Sequence, residues 1–492
     1  MAITLDMRAF GKNDIRGIYG EDVTEELFFY TGKGYIRFIE ENSNLEAKNI
    51  WVTVTRDVRL SSDSLTKSLI KGVVSTGANV LNLGEAPTPL GYYSEFAPIP
   101  SDVIGSGKIN GALIVTASHN PSEYNGLKMT FDKCSMTEEQ IKRVKTLTME
   151  EFNAREASNR HGVTKNYDII EQYTESIVNK FASIGKGIKV VVDSGNATGG
   201  IVGPKLYRDL GCEVIELFSE PDGNFPNHHP NPSDEKTLDA IKKAVVEHNA
   251  DLGIAFDGDS DRIGVIDSKG SALTGDKLLL IYAMDVIEQL SKRGEKPVVV
   301  SEVKCSQVLY DTINTCGGCA IMTKTGHGYI KSKMKEENAI LAGEMSGHIF
   351  FKDRYYGFDD AIYAGCRIIE IIAKHKQNNP DFRLESLLAP FDEVFTSKEV
   401  RFRCPNECKK PVMDELKKTV EKKPEMFTTP IKEIVTIDGM RIILEDGFAM
   451  IRQSNTEPVF TLRFEAKSQQ NCEMYQDAMV KVLDKLVKKY SE

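Results

Sequence analysis

The sequence predicts three successive α/β domains with mixed sheets, followed by a C-terminal α+β domain, arranged around a central cleft. At 492 residues the chain exceeds one compact core, since domains average about 150 residues. A short Val- and Ile-rich run, a Gly- or Asp-containing turn and an amphipathic stretch recur in that order, which is typical of α/β layers. The last hundred or so residues differ, because two polar loops lie between strand-like runs.

The individual elements follow from composition and spacing. Apolar, β-branched runs predict strands at Ile50–Thr55, Ala112–Thr116, Lys189–Asp193, Asp251–Phe256 and Pro297–Ser301. Apolar residues at helical spacing predict two helices, one through Leu238, Ile241, Ala244 and Val245, the other through Met479, Val482, Leu483, Leu486 and Val487. Turn-rich stretches near Arg160–Lys165, Ser268–Gly275 and Pro390–Thr396 place the domains at residues 1–164, 165–272, 273–391 and 392–492.

Composition limits the classes of partner. With 41% hydrophobic and 27% charged residues the chain is typical of a water-soluble globular protein. Its net charge of −10 argues against nucleic-acid binding, so an anionic ligand would need a local basic pocket. No apolar run approaches the roughly 20 residues of a membrane span, and charges occupy the place of a signal peptide's apolar segment. We therefore expect a cytoplasmic protein that does not bind membranes, with its nine cysteines reduced.

The stretch Ala255–Val265, AFDGDSDRIGV, sets three aspartates two residues apart. In an extended strand the first and third would lie about 13 Å apart, so the backbone must curl, as Gly258 and Ser260 allow, if all three act together. Three like charges held close demand a cation. An EF-hand is excluded because Arg262 stands where its glycine belongs and Ser268 where its last acid belongs. A solvated acidic turn is the alternative, but the adjacent Arg262 favours a phosphoryl partner.

A second polar stretch, Thr116–Pro121 (TASHNP), follows an apolar run and places Ser118 at a turn. It is not the G-x-S-x-G elbow of a hydrolase, because Thr116 and Asn120 occupy the glycine positions. Taken alone, it favours a Ser-Asn-Pro turn that carries a structural histidine.

Together these motifs resemble the α-D-phosphohexomutase family, in its phosphomannomutase/phosphoglucomutase branch. TASHNP is similar to the family's phosphoserine loop and DGDSDR to its metal loop; Gly343–His348 (GEMSGH) is similar to its sugar-recognition loop and Arg452–Pro458 (RQSNTEP) to its phosphate-binding loop. The four occur in family order, and connecting segments at Pro221–Pro232, Lys324–Lys331 and Tyr356–Ala364 agree as well. Asn13 is a departure, because that branch often has an aromatic residue there.

The resemblance implies a role for each polar residue. Ser118 would carry the transferred phosphoryl group, and Mg²⁺ would bind Asp257, Asp259 and Asp261 together with an oxygen of that phosphate on Ser118. The remaining residues implied in catalysis are Arg16 and Arg262, for developing charge, and His119 and Lys128, for proton transfer. Residues implied in substrate binding are Lys304, Thr325, His327, Glu344, Ser346, His348, Arg452, Ser454, Asn455 and Thr456.

The implied activity is intramolecular phosphoryl transfer between hexose 1-phosphate and hexose 6-phosphate, for mannose, glucose or both, through a hexose 1,6-bisphosphate. The partner would be a small phosphosugar, and the chain would act as a monomer or homodimer. Phosphoglucosamine mutase is the alternative, although its last loop usually reads SGT where this chain has Ser454-Asn455-Thr456. A magnesium-dependent sugar phosphatase and an inactive sugar-phosphate-binding protein are further alternatives.

Overall fold

The structure is a computed structural model that describes residues 5–155, 160–391, 394–454 and 457–491. It divides into two compact units. The first comprises Met1–Thr274 and Ser346–Leu384, and the second comprises Gly275–Met345 and Glu385–Glu492. The predicted domain limits and the predicted central cleft stay predictions.

The first unit begins with a mixed sheet in the order β1-β5-β4-β2-β3-β7, with β6 paired to β5. Its strands are β1 (Ile15–Ile18), β2 (Trp51–Arg56), β3 (Asn79–Glu85), β4 (Ile109–Val115), β5 (Tyr124–Phe131), β6 (Cys134–Ser135) and β7 (Thr164–Asn166). The accompanying helices are α1 (Glu25–Ser43), α2 (Ser62–Val74), α3 (Thr88–Tyr93), α4 (Ser101–Ile104) and α5 (Glu138–Ala154). Thr24 and Thr137 cap the starts of α1 and α5 by accepting backbone N–H bonds. A continuous apolar core of buried residues fills this part of the unit.

A second mixed sheet of the same unit has the order β12-β11-β10-β8-β9. Its strands are β8 (Lys189–Asp193), β9 (Glu213–Leu217), β10 (Leu252–Phe256), β11 (Ile263–Ile266) and β12 (Ala272–Leu273); the helices are α6 (Ile169–Phe181), α7 (Gly199–Asp209) and α8 (Asp239–Glu247). Strands β8, β9 and β10 run parallel, whereas β11 is antiparallel to β10, so the chain reverses between Phe256 and Ile263. This reversal contains the three aspartates.

The second compact unit contains a parallel sheet and an antiparallel sheet. The helix α9 (Gly275–Ser291) leads into the parallel strands β13 (Val298–Glu302), β14 (Cys319–Thr323) and β15 (Leu341–Gly343), with β13 paired to both others. Helices α10 (Gln307–Thr315) and α11 (His327–Glu336) connect these strands. The chain then returns to the first unit with β16 (Ile349–Phe351) and α12 (Ala361–Asn378).

The last part of the second unit is an antiparallel sheet with two helices. Its strands are β17 (Phe395–Thr396), β18 (Val400–Arg403), β19 (Ile431–Val435), β20 (Met440–Leu444), β21 (Gly447–Gln453) and β22 (Val459–Ala466), and its helices are α13 (Asn406–Lys422) and α14 (Gln469–Ser491). Buried residues of this antiparallel sheet and of α13 and α14 share one apolar core.

Short 3₁₀ helices occur in both units, at Ala47–Asn49, Glu235–Leu238, Leu384–Phe391 and Pro424–Met426.

The predicted fold class is confirmed: mixed α/β sheets precede an antiparallel α+β region. All five predicted strands are present, and their limits differ from the expected ones by three residues at most. One helix begins later than its apolar spacing suggests, because Leu238 lies in a 3₁₀ turn and α8 starts at Asp239. The nine cysteines are free thiols, as expected. Among the described residues, no helix combines the length and hydropathy that a membrane crossing requires.

Candidate active site

Ser118 lies three residues beyond β4 in a backbone conformation that side chains rarely adopt. Its φ is 50°, and only 2% of the residue is exposed. The backbone N–H donates to Thr116 Oγ1 at 2.9 Å, while Oγ donates to Asp257 Oδ2 at 2.7 Å. His119 Nδ1 lies 3.1 Å from the same Oγ. The hydroxyl is therefore fixed between a carboxylate and an imidazole.

The loop between β10 and β11 curls as the spacing of its aspartates predicted. Asp257 Oδ1 accepts the backbone N–H groups of Asp261 and Arg262, each at 3.1 Å. The positive φ that this curl needs, 61°, belongs to Ser260. Gly258 does not have a positive φ; instead, a Cβ there would lie 2.3 Å from the carbonyl oxygen of Ser118. Glycine is therefore needed for close approach between two loops rather than for turn geometry.

The three aspartates converge on one buried point. Asp257, Asp259 and Asp261 are at most 1% exposed, and each offers an oxygen within 4.8 Å of those of the other two. Lys128 Nζ donates to Asp259 Oδ2 at 2.6 Å and to Asp261 Oδ2 at 2.5 Å. Thr88 Oγ1 also donates to Asp259 Oδ2, at 2.6 Å.

These carboxylates fit a hard divalent cation. Asp259 Oδ1 is buried and accepts no hydrogen bond from the residues that the structure describes. An unsatisfied buried carboxylate oxygen is costly, which favours a further cationic partner at this point. Oxygen ligands of this kind are those that magnesium prefers. The acidic cluster is therefore compatible with a metal site.

The pKa values of these groups reflect both their burial and the charges of their neighbours. It raises the pKa of Asp257 well above the usual range, and the charges of Asp261 and Asp259 add to the effect. Burial also works to raise the pKa of Asp261, but Lys128 and His348 outweigh it and hold that pKa well below its usual range. Burial would lower the pKa of Lys128, but Asp259 and Asp261 raise it well above normal.

His119 is held in its neutral form. Burial, followed by the charges of Arg262 and Arg16, lowers the pKa of His119 to about 2. Arg16 Nη1 donates to the carbonyl of Ala117 at 3.0 Å and to Asn120 Oδ1 at 2.9 Å. This guanidinium therefore binds the loop Thr116–Pro121, which we call the serine loop. Two cations consequently lie close to the serine.

Ser346 and His348 join this group from the start of the returning segment. Arg262 Nε lies 3.3 Å from His348 Nε2 and 3.8 Å from Asp257 Oδ2. The other ring nitrogen of His348 lies 3.0 Å from Ser346 Oγ. The described part of the first unit thus brings together Ser118, His119, Lys128, Arg16, Arg262, the three aspartates, Ser346 and His348.

A second group of predicted residues lies in the second unit, around the carboxyl end of β13. Glu302, fully buried, accepts hydrogen bonds from Thr325 Oγ1 at 2.5 Å and from the Met345 N–H at 2.8 Å. Lys304 Nζ lies 3.6 Å from Glu302 Oε2. Glu344 accepts the N–H of Gly326 at 2.6 Å, one residue before His327 begins α11. Lys304, Thr325, His327 and Glu344 are therefore gathered within one unit.

Arg452 extends this second group. Its Nε donates to Asp438 Oδ2 at 2.7 Å, and the Thr325 N–H donates to the same oxygen at 3.2 Å. Ser454 follows β21, and its carbonyl accepts a 2.7 Å hydrogen bond from the buried ammonium of Lys409. The predicted Asn455 and Thr456 lie outside the described residues.

Thr88, Glu302, Lys409 and Asp438 were not predicted, although two of them carry a sequence signal. Glu302 ends a buried Val-rich strand, at the sheet edge where α/β proteins bind ligands. Asp438 precedes a glycine in a loop that the sequence identifies as polar. Thr88 and Lys409 have no comparable signal, because each acts through a partner that is distant in sequence.

Comparison with known proteins agrees with the motif order. Family models described as phosphoglucomutase/phosphomannomutase match four segments: α/β/α domain I at residues 7–155, domain II at 171–270, domain III at 274–391 and the C-terminal domain at 399–482. The chain therefore belongs to the phosphoglucomutase/phosphomannomutase family of enzymes, as the resemblance predicted.

Curated relatives and a solved structure cover almost the whole chain. A phosphomannomutase/phosphoglucomutase from Pseudomonas putida is 38% identical over 468 residues, covering 95% of this chain and 94% of the relative. A phosphoglucomutase from Neisseria gonorrhoeae is 36% identical over 484 residues, covering 98% of each. The crystal structure of a family protein from Burkholderia thailandensis superposes with a TM-score of 0.85 at 34% identity, covering 97% of both chains.

Proposed function

We propose that this protein is a phosphohexomutase that interconverts hexose 1-phosphate and hexose 6-phosphate, with glucose and mannose phosphates as substrates. The observation that carries the proposal is the position of Ser118 Oγ, 2.7 Å from one of three clustered aspartates and 3.1 Å from His119. The names of the relatives, phosphomannomutase/phosphoglucomutase and phosphoglucomutase, support the same reaction.

Phosphorylated Ser118 donates its phosphoryl group to the free hydroxyl of a hexose monophosphate, which yields a hexose 1,6-bisphosphate and the serine hydroxyl. One O–P bond forms on the sugar as the Oγ–P bond breaks, and the proton of the sugar hydroxyl ends on Oγ. The bisphosphate then turns over in the site and returns its other phosphoryl group to Ser118. The net result is isomerisation without loss of phosphate.

Asp257, Asp259 and Asp261 would hold Mg²⁺, together with an oxygen of the phosphate on Ser118. When bound, the ion acts as a Lewis acid on the transferring group. The chain supplies an acceptor-rich, buried point for it, including Asp259 Oδ1, which accepts no hydrogen bond from the described residues. Lys128, bonded to two of these carboxylates, reduces their mutual repulsion.

His119 is our proposed proton-transfer residue, because its Nδ1 is within hydrogen-bond reach of Ser118 Oγ. Lys128, the other predicted candidate, contacts the carboxylates, and its role in moving a proton stays a prediction. Arg16 and Arg262 would stabilise the charge that spreads over the phosphoryl oxygens, since a guanidinium matches phosphate geometry. Their contacts with the serine loop and with His348 support that placement.

Residues of the second group, together with Ser346 and His348 of the first group, would bind the rest of the substrate. Glu344 and Ser346 suit sugar hydroxyls, while Lys304, Thr325, His327 and His348 offer donors. Arg452 and Ser454, with the predicted Asn455 and Thr456, would bind the phosphate that is not being transferred. Asp438 accepts a hydrogen bond from the Arg452 guanidinium, and a phosphate would be a second anionic partner for the same cation.

The proposal is tested by following glucose, mannose and glucosamine 1-phosphates by ³¹P NMR with Mg²⁺ and trace glucose 1,6-bisphosphate. We expect the 6-phosphates of glucose and mannose to accumulate, with glucosamine 1-phosphate much slower. Free phosphate as the main product would indicate a phosphatase, and preferred conversion of the glucosamine ester would indicate phosphoglucosamine mutase. Binding without turnover of any ester would refute the proposed activity.

A further inference from the structure

Arg59, just beyond β2, uses its entire set of donors within the protein. The side chain is 0% exposed, and its Nε donates to Asp57 Oδ2 at 3.0 Å. Its terminal nitrogens donate to four backbone carbonyls: those of Ser118 at 2.8 Å, Asn120 at 2.6 Å and Pro121 at 2.5 Å in the serine loop, and that of Tyr124 at 3.1 Å at the start of β5. Five donors is the full inventory of a guanidinium.

Asp57, which pairs with Arg59, also binds the serine loop. Besides Arg59 Nε, its Oδ2 accepts Thr116 Oγ1 at 2.8 Å and the Ala117 N–H at 3.4 Å. Its Oδ1 accepts the backbone N–H of Arg59 at 3.1 Å. The carboxylate thus bonds both to the residues before Ser118 and to the arginine that bonds the residues after it. As an ion pair, it adds no net charge beside the reacting group.

The metal loop and an aromatic ring also lie close to this pair. A Cβ on Gly258 would lie 2.3 Å from the Ser118 carbonyl oxygen, so the metal loop contacts the carbonyl that Arg59 Nη2 also binds. The ring of Phe225 lies 5.3 Å from the guanidinium carbon of Arg59. The Ser118 carbonyl is therefore confined between the guanidinium and the metal loop.

We propose that the Asp57–Arg59 pair is a positioning device that fixes Ser118 for phosphoryl transfer. The pair stabilises the positive φ of Ser118 and so directs Oγ toward Asp257. The inference rests on the proposed function and adds residues that touch neither the reacting atoms nor the substrate. Lysine cannot replace Arg59, because its three donors radiate from one nitrogen and cannot span four carbonyls and a carboxylate.

Positioning predicts a specific kinetic signature. When the loop relaxes, Oγ is misplaced for in-line transfer, and a displacement of about 1 Å costs about 100-fold in rate. The residues proposed to bind the sugar and the distal phosphate do not contact Arg59 in the described structure, so substrate affinity should change little. A residue that only supported folding would lower thermal stability and leave the rate per folded molecule unchanged.

The test uses full-length Arg59→Lys beside wild type and the control Arg367→Lys. Arg367 lies in α12, is equally buried at 1% exposure, and pairs with Glu370 of the same helix and with Asp353, which precedes the helix. Dephosphorylated protein is mixed with glucose 1,6-bisphosphate, and intact mass follows the gain of one phosphate on Ser118. We expect the transfer rate and kcat to fall about 100-fold in Arg59→Lys, with KM within a factor of about two, and neither to fall in the control.

Hydrogen–deuterium exchange of peptides covering residues 116–124 provides a readout that does not require mutase activity. These amides should exchange faster in Arg59→Lys and keep wild-type rates in Arg367→Lys. If Arg59→Lys fails to fold, Asp57→Asn, which weakens the contacts with Thr116 Oγ1 and the Ala117 N–H, disturbs the same loop and should give the same pattern. Folded variants with wild-type exchange in this segment and a wild-type rate of Ser118 phosphorylation would overturn the inference.

Failure of the proposed function has a different appearance. Wild-type protein that exchanges as expected but neither gains phosphate nor isomerises hexose phosphates would refute the mutase activity, while the exchange data would still decide the positioning role.

Discussion

The two groups of polar residues differ in how firmly the fold holds them. Around Ser118, the serine is 2% exposed and the three aspartates are at most 1% exposed, and hydrogen bonds from other strands and loops help to hold them. In the second group, the side chains of Arg452 and Lys304 keep 19% and 23% exposure and are attached to single carboxylates, Asp438 and Glu302. The serine and the carboxylates of the first group are thus buried, whereas the cations proposed to bind ligand keep part of their side chains exposed, as do Arg16 and Arg262 of the first group at 23% and 17%.

Removing the carrier hydroxyl is the largest change to the buried group. Ser118→Ala deletes one oxygen and leaves the backbone contacts of the loop, so the fold should persist while mutase turnover falls by on the order of 10³-fold or more. The measurement is steady-state turnover of glucose 1-phosphate with trace bisphosphate. The control is Ser176→Ala, which removes a hydroxyl that, among the described residues, bonds only the Tyr173 carbonyl in α6. Near-normal turnover in Ser118→Ala would mean that another group carries the phosphoryl.

Weakening the metal cluster should have the next largest effect. Asp259→Asn preserves side-chain size but removes one of three charges, so half-saturation with Mg²⁺ should need about 10- to 100-fold more metal. Activity is measured across a magnesium titration, with manganese as a second ion. An unchanged titration would indicate that the three aspartates form only a polar turn. The contrast between the buried group around Ser118 and the second group would then no longer hold.

The accessible group should respond more moderately. Arg452→Lys keeps the charge but loses the planar, two-pronged contact with phosphate, so kcat/KM should fall roughly 10- to 150-fold, equivalent to about 1.5–3 kcal/mol. Arg143→Lys, in an exposed ion pair with Glu41, should be silent in the same assay. Equal, small effects of both substitutions would show that Arg452 does not bind phosphate.

The smallest expected effect is on thermal stability, and it comes from Glu95, a buried carboxylate whose hydrogen-bond donors are neutral groups. Burial raises the pKa of Glu95 to about 7, although Thr130 Oγ1 and the Lys133 N–H donate to it. Because the folded pKa lies above the unfolded value, the folded state binds more protons, and stability falls as pH rises from about 4.5 to about 7. Glu95→Gln should therefore raise Tm at pH 8 by on the order of 2–4 °C, with no gain at pH 4.5. Thermal unfolding at both pH values checks this, and a gain at pH 4.5 alone would contradict it.

Sequence reasoning reached the parts of the site that depend on local pattern. Val- and Ile-rich runs located the strands, and the resemblance of four short motifs placed Ser118 and the aspartates in loops that the fold does bring together. The sequence did not predict the role of Arg59, because four of its five hydrogen-bond partners are backbone carbonyls, which leave no signature in side-chain identity. Asp438 and Arg452, 14 residues apart in sequence, pair only once an antiparallel sheet has formed.

Gly258 is a residue whose role the sequence predicted wrongly. Its sequence context suggested turn flexibility, but the fold uses its missing side chain for contact with a loop 140 residues earlier in the chain. Likewise, Glu344 and Ser346 lie two residues apart in one motif, yet they belong to different compact units. Tertiary pairing, which a linear motif does not encode, decides both cases.

Transfer of an isotopic label tests the central claim, that Ser118 carries the phosphoryl group between the two sugar positions. Enzyme phosphorylated with an ¹⁸O-labelled phosphoryl group is mixed in single turnover with unlabelled glucose 1-phosphate, and mass spectrometry follows both protein and sugar. We predict that the label appears in glucose 6-phosphate while Ser118 ends with the unlabelled phosphoryl group from position 1 of the sugar. Label that stays on the protein during isomerisation, or leaves as free phosphate, would contradict the account.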